Sequence, residues 1–236
     1  MSDFDTTQWS LVIAAGESDS AASREALETL CETYWYPLYV YVRRRGHAED
    51  DARDLTQGFF VKLLEKNWVG AADRARGKFR TFMLTALKHY MLDEWDRQRA
   101  QKRGGGKLPL SLDFDTAEGG FKLEVPDERT PEAVFDACWA DTVLLRARER
   151  LRREVLEPGK EDRFERLEGF VTGEGREVPY QEVAAEFGMS ESAVKVAVYR
   201  MRRHFGEVLR AEVAETVQDP AEVEPELKHL LGLLVA

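Results

Sequence analysis

Apolar residues recur along this chain at three- and four-residue intervals, which predicts helices from one end to the other. A short opening helix is expected at 7–14, with Trp9, Leu11, Val12 and Ile13 as its apolar side. A longer aromatic one follows at 21–45, carrying Leu27, Leu30, Tyr34, Trp35, Leu38, Tyr39 and Val42. Pro37 lacks a backbone donor and is expected to kink or restart it. The pattern at 48–65 puts Leu55, Phe59, Phe60, Leu63 and Leu64 on one side, and its leading acids suit a helix N-terminus. Residues 78–102 predict a further amphipathic helix. Between 103 and 131 the period disappears among five Gly and three Pro, as in a linker. Helices resume at 131–156 and 160–172, and a last amphipathic piece lies at 221–235 after Asp219–Pro220. No internal repeat is found.

Residues 180–203, YQEVAAEFGMSESAVKVAVYRMRR, carry the sharpest local signal. Val183, Ala184 and Phe187 keep helical spacing before Gly188–Met189–Ser190, and Val194, Val198 and Met201 keep it afterwards. Gly188 can take the positive φ that ends a helix, and Ser190 can cap the next one. Two helices crossing at such a turn make a helix-turn-helix, whose second helix fits the major groove of B-DNA. Lys195, Tyr199, Arg200, Arg202 and Arg203 then face outward while the valines pack inward. The plainer alternative is a helical hairpin with a solvated basic face.

Net charge is −10 and the pI about 5.1, a poor fit to a nonspecific polyanion binder. The charge is segregated, however. Residues 74–107 hold ten Lys or Arg against Asp93, Glu94 and Asp96, and residues 195–210 hold five basic residues against one acid. Residues 212–226 hold six acids and no base. This distribution fits two DNA-facing patches with acidic surfaces elsewhere. At 236 residues and 43% hydrophobic content, the chain suffices for two modest cores.

No apolar run reaches membrane-spanning length and no signal peptide is visible, so a cytoplasmic protein without membrane insertion is expected. Cys31 and Cys138 lie far apart and read as reduced thiols. His47, His89, His204 and His229 are scattered without zinc-ligand spacing, so neither metal nor cofactor is expected.

In 78–103, Phe79, Phe82, Tyr90 and Trp95 interleave with Lys78, Arg80, Lys88, His89, Arg97, Arg99, Lys102 and Arg103. Single-stranded DNA binding needs such a mixture, cations for phosphates and rings for unstacked bases, each stack giving roughly 1–3 kcal/mol. Domain core is the competing explanation for Phe82, Leu87 and Met91.

The order of these parts resembles the sigma factors of bacterial RNA polymerase: an aromatic helix, the acidic EDDARDLTQGFFVKLLEK (49–66), a basic-aromatic helix, a linker and a C-terminal helix-turn-helix. It is most similar to the small extracytoplasmic-function (ECF) group of the sigma-70 family, over about residues 6–214. The resemblance implies an all-α fold of two helical domains joined by a flexible linker. Here these would be 1–103, a linker at 104–130, 131–216 and an added tail at 217–236. It implies a transcription initiation factor without enzymatic activity, monomeric when free, whose partners are core RNA polymerase (β′ coiled coil and β flap) and promoter DNA. A regulator, either an anti-sigma factor or a Ser/Thr kinase, is also compatible with it.

Residue by residue, Asp51, Asp54, Leu55, Gln57, Phe59, Phe60 and Leu63 match the polymerase-docking helix, with domain core the alternative for Leu55 and Leu63. Lys78, Phe79, Arg80, Lys88, Asp93, Arg97 and Arg99 match the segment that melts the minus-ten element. His89 stands there where asparagine is common, leaving minus-ten specificity open. Ser190 begins the recognition helix for the minus-thirty-five element, on which Lys195, Val196, Tyr199, Arg200 and Arg203 match the family. Arg202, Arg203 and His204 are expected on phosphates, and Lys195, Tyr199 and Arg200 on bases or sugars.

Gly58 replaces a frequent glutamate, and Thr56 a more usual aliphatic residue. Thr56 is either a phosphorylation site that tunes docking or a threonine filling a helical position. The tail either packs on the helix-turn-helix domain with its acids mimicking DNA, binds a regulator, or completes a domain core. An ordinary helix-turn-helix regulator would leave the docking and basic-aromatic helices without a purpose. An enzyme fares worse, since GGGK at 104–107 lacks the P-loop frame and no pocket of acids can be assembled.

Overall fold

The computed structural model describes residues 21–64, 78–100, 129–173, 178–217 and 219–233, leaving aside the side chains of 21–30, 32, 64 and 98–100. The opening helix expected at 7–14 and nearly all of the expected linker lie outside these residues. The described chain is all-α, as its spacing predicts. Its helices are α1 (Ala21–Arg44), α2 (Glu49–Leu64), α3 (Phe79–Ala100), α4 (Pro131–Val155), α5 (Glu161–Thr172), α6 (Tyr180–Glu186), α7 (Glu191–Ala214) and α8 (Val223–Leu233). A 3-10 turn at Pro220–Glu222 leads into α8.

The chain divides into two compact units. One holds the described residues up to Thr142 together with Ala214–Leu233; the other is Val143–Val213. The first part of α4 and the whole tail thus group with the N-terminal helices. The sequence pattern had suggested 131–216 as one domain and a separate tail. Charged partners account for this grouping: Asp136 and Glu226 both pair with Arg80.

In the first unit, α1 runs unbroken through Pro37, which is buried. Tyr34, Leu38, Tyr39 and Val42 of α1 meet Phe59, Phe60 and Leu63 of α2 and Phe79, Met83 and Leu87 of α3 in the core. The Tyr34 and Phe79 rings pack edge to face, 5.3 Å between centroids. Val134, Phe135, Cys138 and Trp139 of α4 are buried as well. That helix starts with Pro131 in its first turn, and the Thr130 hydroxyl accepts the Ala133 N–H at 3.2 Å. Glu49, Asp50 and Asp51 occupy the first turn of α2, as its acidic start predicts.

In the second unit, Leu151, Phe164, Leu167, Phe170, Val183, Ala184, Val194, Val198 and Met201 form one core cluster. Helix α5 ends on Gly173 at φ 97°, with its N–H returning to the Gly169 carbonyl. Glu212 of α7, nearly buried, receives Arg146 at 3.1 Å and Arg150 at 3.3 Å from α4.

Gly58 has a packing reason. A Cβ at this position would fall on the Tyr90 hydroxyl of α3, so the glycine leaves room for that ring. Burial pushes the Tyr90 phenol up to about 12, so it stays protonated at neutral pH. Gly58→Ala is expected to destabilise the protein by about 1–3 kcal/mol through overpacking, outweighing alanine's helix preference. Thermal unfolding checks this, and the loss should shrink when Tyr90→Phe removes the obstructing oxygen.

Candidate nucleic-acid interface

The turn at Gly188–Met189–Ser190 is built as its residues require. Gly188 sits at φ 62°, and the Met189 N–H reaches back to the Ala184 carbonyl at 2.8 Å, a Schellman closure of α6. Ser190 Oγ then accepts the Ala193 N–H at 3.2 Å and opens α7. Val194, Val198 and Met201 are held inward. That leaves Lys195, Val196, Tyr199 and Arg200 exposed on the opposite face, with Tyr199 68% accessible. Lys195 reaches Glu191 at 2.6 Å and lies 5.9 Å from the Tyr180 ring, and the Glu191 carboxylate holds the ammonium above its ordinary value. This face offers hydrogen-bond donors, an aromatic ring and a methyl-bearing side chain together, a set suited to base edges and sugars.

The three residues expected on phosphates are occupied within the protein. Arg202 donates to the Phe170 carbonyl through Nη2 at 2.9 Å and Nε at 3.3 Å, satisfying an end carbonyl of α5. Arg203 pairs with Glu207 at 3.1 Å, and His204 Nε2 lies 2.7 Å from Glu154. Exposed pairs of this kind exchange partners at little cost, whereas the Arg202 contact fastens α7 to α5.

On α3, His89, Asp93 and Arg97 are exposed, and Arg97 pairs with Glu94 at 2.7 Å. Leu92 and Trp95 stand 61% and 54% accessible beside them. Neither was among the expected contacts, although the aromatic spacing pointed to Trp95. The Arg99 side chain lies outside the described residues. Lys88 reaches Glu132 at 2.8 Å and the Tyr41 ring at 5.6 Å. Phe79 is fully buried core and not available to bases in this state.

Lys78 and Arg80 differ most from the sequence expectation of open cationic residues. The Arg80 side chain is 7% accessible, its Nε lies 3.0 Å from Asp136, and its guanidinium stacks over Trp139 at 4.7 Å. Both cations also meet Glu226 of α8, Lys78 at 2.5 Å. Burial, and then the neighbouring Arg80 charge, hold the Lys78 ammonium below its ordinary value. Glu226 was missed. The available signal was its position among Val223, Leu227 and Leu230, an acid on an apolar helical stripe.

On α2, Asp51 and Asp54 are exposed, Leu55 and Gln57 half-buried, and Phe59, Phe60 and Leu63 fully buried. The last three build the core beneath the acidic surface and present no docking face in this state. Thr56 is likewise fully buried, and its hydroxyl donates to the Ala52 carbonyl at 2.7 Å. That geometry is a threonine filling a helical position, with its oxygen closed to a kinase in this conformation.

Among the described residues no His, Cys, Asp or Glu cluster could hold a metal ion, and no helix is long and apolar enough to cross a membrane. No protein-family model and no solved structure matches the chain. A curated relative does: the chain is 25% identical over 179 residues to the RNA polymerase sigma factor YlaC of Bacillus subtilis (strain 168). The alignment spans 76% of this chain and 89% of that protein.

If Arg202 is a fastener, Arg202→Ala should cost about 1 kcal/mol of unfolding free energy by removing a charged donor from the Phe170 carbonyl. Denaturant unfolding reads this directly. An unchanged midpoint would return Arg202 to the set of free phosphate ligands.

Proposed function

We propose that this chain, a member of the extracytoplasmic-function group of the sigma-70 family, directs bacterial core RNA polymerase to promoters by reading a minus-ten and a minus-thirty-five element. The observation that carries the reading is the outward face of α7, with Lys195, Val196, Tyr199 and Arg200 exposed behind a capped turn. The curated relative is itself a polymerase sigma factor, which supports the same role in transcription initiation. On this reading the chain performs no chemistry; it positions the polymerase and helps open the duplex.

Helix α7 enters the major groove of the minus-thirty-five element, with Lys195, Tyr199 and Arg200 toward the bases and Arg203 toward a phosphate once Glu207 releases it. The exposed side of α3, with His89, Asp93, Trp95 and Arg97, lines the path of the unpaired minus-ten strand. Trp95 there supplies the exposed ring that stacking on single strands requires. Asp51 and Asp54 offer carboxylates to the polymerase β′ coiled coil, backed by Leu55 and Gln57. The second unit meets the β flap. Reading two elements at fixed spacing lets each be bound weakly, and the net charge of −10 further discourages the free factor from occupying DNA.

Replacing Arg200 by Ala in the reconstituted holoenzyme tests the base-reading role. Transcription from promoters with an intact minus-thirty-five element should weaken by about 1–3 kcal/mol, roughly one to two orders of magnitude, if the contact is bidentate to a base. A similar loss on every sequence would make Arg200 a phosphate contact. No loss anywhere would remove α7 from the interface.

A further inference from the structure

We propose that α8 is an intramolecular competitor for DNA: the Glu226 carboxylate occupies the cations Lys78 and Arg80 in the place of a nucleic-acid phosphate, and promoter binding displaces the tail. The proposal rests on the promoter reading of α3 and adds a regulator to it, carried by the same chain.

Three observations within the first unit support it. Glu226 has a side chain only 1% accessible, and its two oxygens face one cation each, Oε2 toward Lys78 and Oε1 toward Arg80. Among the described residues neither oxygen has any hydrogen-bond partner beyond this ion pairing. A buried carboxylate so placed depends entirely on those two cations. Second, the tail is seated by more than this charge. The Phe79 N–H, at the start of α3, donates to the Thr216 carbonyl at 3.3 Å, and Val217, Leu227 and Leu230 are buried. Third, the tail's other acids stay outside. Asp219, Glu222 and Glu224 are exposed, so the seated tail adds negative charge around the covered cations and repels an approaching phosphate.

Exclusion follows from geometry. Arg80 is 7% accessible with α8 in place, so no phosphate reaches it until Glu226 leaves. When it leaves, Asp136 and the Trp139 face still hold Arg80 in position, and the Lys78 ammonium is released beside it. The Arg80 half of the cationic pair is therefore preformed under the tail. Apparent DNA affinity falls by the fraction of molecules that are open, so a tail seated in roughly nine of ten molecules lowers it about tenfold.

The test uses the full-length chain, free and as holoenzyme, with a fluorescent single-stranded oligonucleotide and with duplex promoter DNA. Glu226→Gln keeps the side chain's size and removes its charge. The expected result is several-fold tighter binding of the single strand to the free variant, with a smaller gain in the holoenzyme. Unchanged or weaker binding overturns the competitor role and leaves the promoter reading standing, provided that the holoenzyme still opens promoters. Failure of wild type and variant holoenzyme alike to bind promoter DNA overturns both. Hydrogen exchange on the unmodified chain gives a second readout that does not depend on the variant folding. Amides in 223–233 should exchange faster when the single strand is bound, and equal or slower exchange overturns the displacement.

Discussion

A guanidinium inside a protein needs its charge compensated, and the first unit is organised around one whose charge is. Arg80 lies over the Trp139 ring, faces Asp136 and meets Glu226, with almost none of its side chain in water. Its partners come from α4 and α8, elements far apart in sequence from α3. Losing one acid would leave the buried guanidinium to the other alone, a larger penalty than loss of an exposed pair. Single-residue electrostatics thus draws the start of α4 and the whole tail onto the three N-terminal helices, and apolar burial of Phe135, Trp139, Leu227 and Leu230 completes the attachment.

On the proposed reading, the same arrangement lets an acidic protein carry DNA-facing surfaces. Its cations are held at short range by its own carboxylates: Lys78 and Arg80 by Glu226, Lys88 by Glu132, Lys195 by Glu191, Arg203 by Glu207. The exposed pairs are weak and open readily to a phosphate. The buried one opens only if a helix moves. Promoter contact on this account is graded, with α7 ready in the free chain and part of the α3 surface waiting under the tail.

The helices and the turn were legible because each rests on local physics. Three- and four-residue spacing placed α2, α3, α4 and α5 to within a few residues, and Gly188 and Ser190 marked the turn that starts α7 by needs that few other residues meet. Pro37 misled, since surrounding burial carries α1 through a missing donor. Which basic residues are free was not legible. Lys78 and Arg80 look identical in sequence to Arg97, yet their exposure depends on an acid some 150 residues away. The same holds for Phe59, Phe60 and Leu63, whose helical face is shared by core and surface until α1 and α3 cover it. Gly58 read as a missing glutamate, and its reason, the Tyr90 hydroxyl, lies on another helix.

The central claim is that this chain confers promoter-directed initiation on RNA polymerase. Mixing the purified full-length chain with bacterial core polymerase, and measuring both comigration and transcripts from a library of promoter fragments, tests it most directly. The account predicts a stable complex and transcripts that start at discrete positions only when the chain is present. Absence of a complex with the core enzyme, or DNA binding at a two-fold operator without any polymerase requirement, would contradict it.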